Sequence, residues 1–200
     1  MSQIDQQAVE LFKSKAKLAS IEVSELKDVS EAIERAAAIC AAKEPVRIGR
    51  NGEGTDSSAA EKILAAPDLS EEDFKALSRA AEPHGVKVIR RGMRQNLAGI
   101  EVAFTLAEMG IAVTATSVLS SQSEELRLAT MVCEAHVVAL PKSKVVEDSY
   151  QAEDLLADLL GEKAMYAAFI SGPSRTADIE RVLTIGVHGP VEMHVLLLND

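Results

Sequence analysis

Tryptophan is absent from this sequence, and aromatic residues make up only 3% of it. A core must therefore be assembled mainly from Ala, Val, Ile and Leu. Apolar residues reach 47% of the 200-residue chain, ample for one sizeable core. Cysteine is scarce too. Cys40 and Cys133 are too few and too far apart for a disulfide framework, and no Cys-x-x-Cys exists to hold zinc or an iron–sulfur cluster. Basic residues are outnumbered, 21 Lys and Arg against 31 Asp and Glu, for a net charge of −10. They are scattered, without a basic stripe or an aromatic platform, so no nucleic-acid partner is expected. No apolar stretch approaches the roughly 20 residues that span a bilayer, and no membrane insertion is expected. The first residues carry early acidic groups and no apolar run of secretory-signal length, which predicts a cytoplasmic protein.

What is present is an alternation of periods. Ile4, Ala8, Leu11 and Phe12 share one helical face, as do Val29, Ile33, Ala36, Ala37 and Cys40. Cys40 is thereby placed in the core. Ser70 and Asp73 resemble a capping box ahead of Phe74, Leu77 and Ala81. Leu155, Leu156, Leu159 and Leu160 mark another helix, which Gly161 ends. Between these lie β-branched runs: Val46–Ile48, Val86–Ile89, Ile111–Leu119, His136–Leu140, Ala167–Ile170 and Val191–Leu198. Several are continuous rather than alternating, as in strands buried on both faces. Strands alternating with helices predict an α/β fold with a mostly parallel sheet. The short connection from Ile111–Leu119 to His136–Leu140 predicts an antiparallel portion. The first helix reads as an arm over residues 1–20, ahead of a domain over 21–200.

Most chemistry-bearing residues have a plain structural reading. Gly49, Gly52 and Gly54 follow a predicted strand, but the loop lacks the third glycine of a dinucleotide fingerprint and contains Glu53 and Asp56. It reads as a surface loop. His136 and His194 read as structural histidines. Cys133 and His136 have no second ligand pair, so no metal is expected.

The informative segment runs from Phe169 to Glu180 and from Gly186 to His194. A strand ends at Ile170, and Gly172 and Pro173 turn the chain. Ser174 or Thr176 is expected to cap a helix with Ile179, Val182 and Leu183 on its apolar face. Asp178 and Glu180 suit the helix N-terminus. Backbone N–H groups, hydroxyls and the Arg175 guanidinium would then converge at the end of a strand, where open α/β sheets bind ligands. Ser171, Gly172, Ser174, Arg175 and Thr176 are candidates for holding a small anionic group, a carboxylate or a phosphate. His188 is expected to approach from the turn Gly186–Gly189. The same residues also describe an ordinary capped turn with a solvated arginine. No catalytic residue is assigned.

The string SGPSRTADIE, followed by LTIGVHGPVEMHVLLL, closely resembles the C-terminal signature of the LUD-domain family, the lactate-utilization proteins. The resemblance extends from about Val23 to Leu198 and is most specific over residues 169–198. Chain length and the lack of cysteine motifs are similar to the family's C type. The resemblance implies a three-layer α/β sandwich similar to the sugar-phosphate isomerases and coenzyme A transferases. It also implies an accessory subunit of a system that oxidises L-lactate to pyruvate. This chain would carry no cofactor, and the iron–sulfur clusters would sit on partner proteins of the A and B types. Where the family reads Ala-Glu-Thr-Gly-Thr, this chain reads Ala112-Val113-Thr114-Ala115-Thr116. Thr114, Thr116, Arg127 and His136 match, and Thr114 and Thr116 join the ligand-binding candidates. Val113 cannot act as nucleophile or base, as a carboxylate could. The Ser171–Thr176 loop leaves a second reading, a stand-alone small-molecule-binding protein or enzyme on a coenzyme A transferase-like fold.

Overall fold

Helix α1 (Gln6–Leu18) begins at Asp5, whose carboxylate accepts from the backbone N–H groups of Gln7 and Ala8 in a computed structural model of the chain. The structure describes residues 4–45, 61–96, 99–161, 166–177 and 181–199. The expected strand Val46–Ile48 and the glycine loop after it lie outside the described residues. Strand β1 (Ile21–Leu26) leads to α2 (Val29–Ala42), capped by Asp28. Then come β2 (Lys62–Ala65), α3 (Glu71–Ala81) and β3 (Val86–Ile89). Ser70 caps α3 as expected, its Oγ accepting from the N–H of Asp73 at 3.0 Å. The chain continues through β4 (Ile100–Leu106), β5 (Met109–Ile111), β6 (Thr116–Ser120), α4 (Glu124–Val132) and β7 (Cys133–Pro141). It ends with β8 (Val145–Val146), α5 (Glu153–Leu160), β9 (Ala167–Ile170), β10 (Arg175–Thr176), β11 (Thr184–Ile185) and β12 (Glu192–Leu198).

Six strands form a wholly parallel sheet in the order β1-β12-β7-β4-β2-β3. Both of its faces are buried, which is why its central strands read as continuous apolar runs. On β7, Ala135, Val137 and Ala139 pack with α2 and α3, while Val138 and Leu140 pack with α1. Leu196 and Leu198 of β12 take the first side, Val195 and Leu197 the second. The α/β class and the three layers follow from this alternation.

A second sheet, β8-β5-β6-β9, lies on the α1 side and pairs β6 antiparallel to both β5 and β9. Helix α5 covers it through Leu156 and Leu159. The predicted antiparallel portion thus exists, but in this smaller sheet. The run Ile111–Leu119 is not one strand. A 3-10 turn at Ala112–Thr114 breaks it, and Ala115 turns the chain with φ 50°. The glycine of the family pattern therefore falls at a left-handed position, where a Cβ is disfavoured by about 1–2 kcal/mol.

Helix α1, over which an arm was expected, buries Val9, Phe12 and Ala16 completely. Lys13 at its surface reaches Glu25 of β1, and the buried Lys142 after β7 reaches the same carboxylate. The hydrogen bonds from Lys13 and then Lys142 hold the Glu25 carboxyl well down, at about 2. No helix among the described residues is long and apolar enough to cross a membrane.

Candidate functional site

Strand β9 is an edge strand, and its last residue, Ile170, pairs with Ser117 of β6. Beyond it the structure departs from expectation. Arg175 and Thr176 do not open a helix. They form β10, which pairs antiparallel with β11 through Arg175–Ile185 and Thr176–Thr184. Val182 and Leu183, expected on a buried helical face, are exposed. Asp178, Ile179 and Glu180 lie outside the described residues. The spacing of Val182 and Leu183 suits a helix, but Ser174 and the 184–191 segment pair with each other instead. The Ser174 N–H donates to the Pro190 carbonyl at 2.8 Å, and the Gly186 N–H donates to the Ser174 carbonyl at 2.8 Å. No helix N-terminus is thus available at Ser174 or Thr176.

The predicted residues fall into separate groups. Thr114, Thr116 and Ser171 form a hydroxyl chain, Thr114 Oγ1 to Thr116 Oγ1 at 2.7 Å and Thr116 Oγ1 to Ser171 Oγ at 2.6 Å. Thr116 is buried, while Thr114 and Ser171 are exposed. Gly172, Ser174 and His188 line a cavity of about 340 Å³. Arg175 points elsewhere, donating through Nη2 to the carbonyl of Ala19 at the end of α1. Thr176 is part of the β10–β11 ribbon.

Gly172 is what lets the loop sit against α1. Its φ is 102°, and a Cβ there would stand 2.5 Å from the Ala19 carbonyl oxygen. Gly172→Ala is therefore expected to lower stability by about 2–4 kcal/mol, combining backbone strain with a clash against main chain. Gly85 provides the control. Its φ is also positive, at 64°, but a Cβ there meets nothing within 4 Å, so Gly85→Ala is expected to cost about 1–2 kcal/mol. Urea unfolding of both variants checks this, and equal costs would show that Gly172 makes no close approach.

The cavity also contains residues outside the Ser171–Thr176 loop and its expected partners. Ser121 follows β6, and Arg127, Thr130 and Met131 belong to α4. The pattern for α4 was available: Ser123 caps it, Glu124 and Glu125 follow, and Leu126 and Ala129 are buried. Arg127 donates through Nη1 to the carbonyls of Ser121 at 2.5 Å and Gln122 at 2.9 Å. Its guanidinium lies 5.7 Å from the centre of the Tyr166 ring. It makes no close ion pair among the described residues, although its charge acts on Glu124 one turn earlier on α4, whereas Arg90 and Arg94 pair with Glu71 and Glu124. The polar wall is completed by Ser121, Thr130, Ser174 and His188, and no acidic residue is among the described residues of the lining. Met131, Ala168, Ile170 and Pro190 supply an apolar wall. Such an arrangement can orient an anion and bury a short aliphatic group beside it.

His136 is buried on β7, 2.9 Å from Thr105 Oγ1, and burial lowers its pKa to about 4. Burial pushes both Cys40 and Cys133 up to about 12. No group of three or more His, Cys, Asp or Glu among the described residues is placed to hold a metal ion.

A family model described as the LUD domain matches residues 9–198. The lactate utilization protein C of Bacillus pumilus is 38% identical over 135 residues, covering 66% of this chain and 54% of that protein. That of Bacillus velezensis is 33% identical over 119 residues, 58% of this chain and 47% of that protein. That of Shouchella clausii is 28% identical over 153 residues, 74% and 67% of the two chains. The chain thus spans about half the length of the first two relatives. The crystal structure of a DUF162 family protein from Deinococcus radiodurans matches with a TM-score of 0.64 over 96% of this chain and 97% of that one. At 12% identity this likeness is one of fold.

Proposed function

Because this chain belongs to the LUD-domain family, we propose that it serves lactate utilization as an accessory subunit that holds a small anionic ligand in the Arg127 cavity. The observation that carries this reading is the guanidinium fixed by two main-chain carbonyls at the wall of a cavity whose described lining contains no carboxylate. The names of the relatives, lactate utilization protein C, supply the process.

Oxidation of lactate to pyruvate releases two electrons and two protons, and the electrons must pass to an acceptor. In this proposal they pass to iron–sulfur proteins of the A and B types. The two thiols of this chain support that division of labour. Cys40, on α2, packs with α3 over one face of the central sheet, and Cys133, at the start of β7, packs under α4 on the other. Both are held protonated by burial, so neither offers a thiolate ligand.

Reconstitution tests the proposal. Lactate-dependent reduction of an artificial acceptor is expected from the iron–sulfur proteins together with this chain, and not from this chain alone. Full turnover without this chain, or turnover by this chain alone, would overturn it. The second reading is a stand-alone small-molecule-binding protein or enzyme, which a cavity with an arginine at its wall also suits. It predicts ligand binding with no effect of this chain on turnover by the others.

A further inference from the structure

We propose that His194 is a proton-operated clasp: its charged ring fastens the start of the edge strand β1 to β12, and loss of the proton lets that end of β1 fray. The inference goes beyond the function proposed above and does not depend on it. Glu192 and His194 belong to the string GPVEMH, and both lie outside the lining of the Arg127 cavity.

Glu22 of β1 stands in register with His194 of β12. The His194 ring lies between two carboxylates, its Nδ1 3.2 Å from Glu22 Oε2 and its Nε2 3.4 Å from Glu192 Oε2. A neutral imidazole has one N–H, so it donates to one carboxylate and turns a lone pair toward the other. An imidazolium donates to both. The side chain is only 11% exposed, so little water can replace a lost partner. The charged groups around the ring come from four elements. Glu22 is on β1, Glu192 on β12 and Glu134 on β7, while Lys43 at the end of α2 reaches Glu192 at 2.6 Å and Glu134 at 3.4 Å. Arg35 of α2 lines the same cavity as Lys43, Glu192 and His194. Among the described residues three carboxylates thus face two cations, and a proton on His194 evens the balance. Lys43 and, to a lesser degree, His194 hold the Glu192 carboxyl below its usual range against the opposing effect of burial, so it stays an acceptor at neutral pH. Imidazole is the side chain whose charge changes in that region.

The far end of β1 is fastened in another way. Glu25 receives Lys13 and the buried Lys142, which hold its carboxyl down at about 2. Neither lysine nor this carboxylate changes charge between about pH 5 and 9. Strand β1 therefore has a permanent fastening near Leu26 and a pH-dependent one near Ile21. The second end adjoins Ala19, whose carbonyl accepts from Arg175, so the device sits beside the loop that walls the Arg127 cavity.

Amide hydrogen exchange, read as protection factors along β1, tests the clasp. From about pH 5.5 to 8, the wild-type chain is expected to lose protection over residues 21–23 by about 2- to 12-fold, the net worth of one hydrogen bond. Residues 25–26 should keep theirs. His194→Gln offers a neutral donor with no proton to lose. Its protection over residues 21–23 should be low already at the lower pH and should not change as the pH rises. Glu22→Gln guards against a packing defect at His194, because the Glu22 side chain is 75% exposed. It should cost about 1.5- to 5-fold in protection, the range for an exposed ion pair, and only at the lower pH. The titration of His136 is common to all three proteins and has the opposite sign, its stability being lost as the pH falls, so it cancels in the comparison. An equal pH-dependent loss in wild type and His194→Gln, a loss spread evenly along β1, or no loss at all would overturn the inference.

Discussion

Phe12→Ala is expected to lower the unfolding free energy by about 3–5 kcal/mol, the usual cost of emptying a fully buried phenylalanine site. The ring is completely buried. It packs in the cluster that contains Val138 and Leu140 of β7 and Met193 and Val195 of β12. Its Cε2 stands 3.3 Å from where a Cβ on Gly110 would lie, so α1 is seated on both sheets. Removing residues 1–20 deletes this ring together with Val9 and Ala16, and also the Ala19 carbonyl that accepts from Arg175. The truncated chain is expected to lose cooperative unfolding altogether. Equilibrium denaturation by urea, followed by far-ultraviolet circular dichroism, measures both. A truncated chain that unfolds cooperatively near the wild-type midpoint would show that residues 1–20 are a detachable arm.

Much of this fold was legible because its elements follow their local chemistry. The stripe Val29–Cys40 became the buried face of α2, and Ser70 capped α3. Ala167–Ile170 became β9 over the residues expected. Other elements had weak signals. Strand β1 lies at a sheet edge and exposes Glu22 and Ser24 to differing degrees, so its sequence, IEVSEL, lacks a long apolar run. Strand β4 carries Glu101 in the middle of the core, where it accepts from the Ile63 N–H at 2.5 Å, and a charged residue there disguises a central strand. The site was half legible. Glycines and hydroxyls marked the Ser171–Thr176 loop, but the partners of its backbone groups come from residues 184–191, too distant in sequence for a local pattern to reveal. Arg127 matched the family, yet its placement beside Ser174 and His188 depends on α4 docking across the chain.

His136 is the second residue with a large expected effect. Its pKa is lowered by burial to about 4 from the ordinary 6.5. In the unfolded chain the imidazole therefore takes up its proton first as the pH falls. Stability from this group is full above about pH 6.5 and is lost as the pH drops toward 4, where the folded form also protonates. The interval corresponds to about 3 kcal/mol. His136→Phe removes the titration while filling the space, at the expense of the hydrogen bond with Thr105. The comparison that matters is of slopes. Between pH 4 and 6.5 the wild type should gain stability more steeply than the variant, and parallel curves would show that His136 does not stay neutral in the folded core.

The most direct test of the account is a crystal structure of the chain grown with pyruvate. The account predicts pyruvate inside the cavity between α4 and the Gly172–Ser174 turn, with its carboxylate on the Arg127 guanidinium and its methyl group toward Met131 and Ile170. Pyruvate bound at another place, or an empty cavity at a pyruvate concentration that saturates the chain in solution, would contradict it.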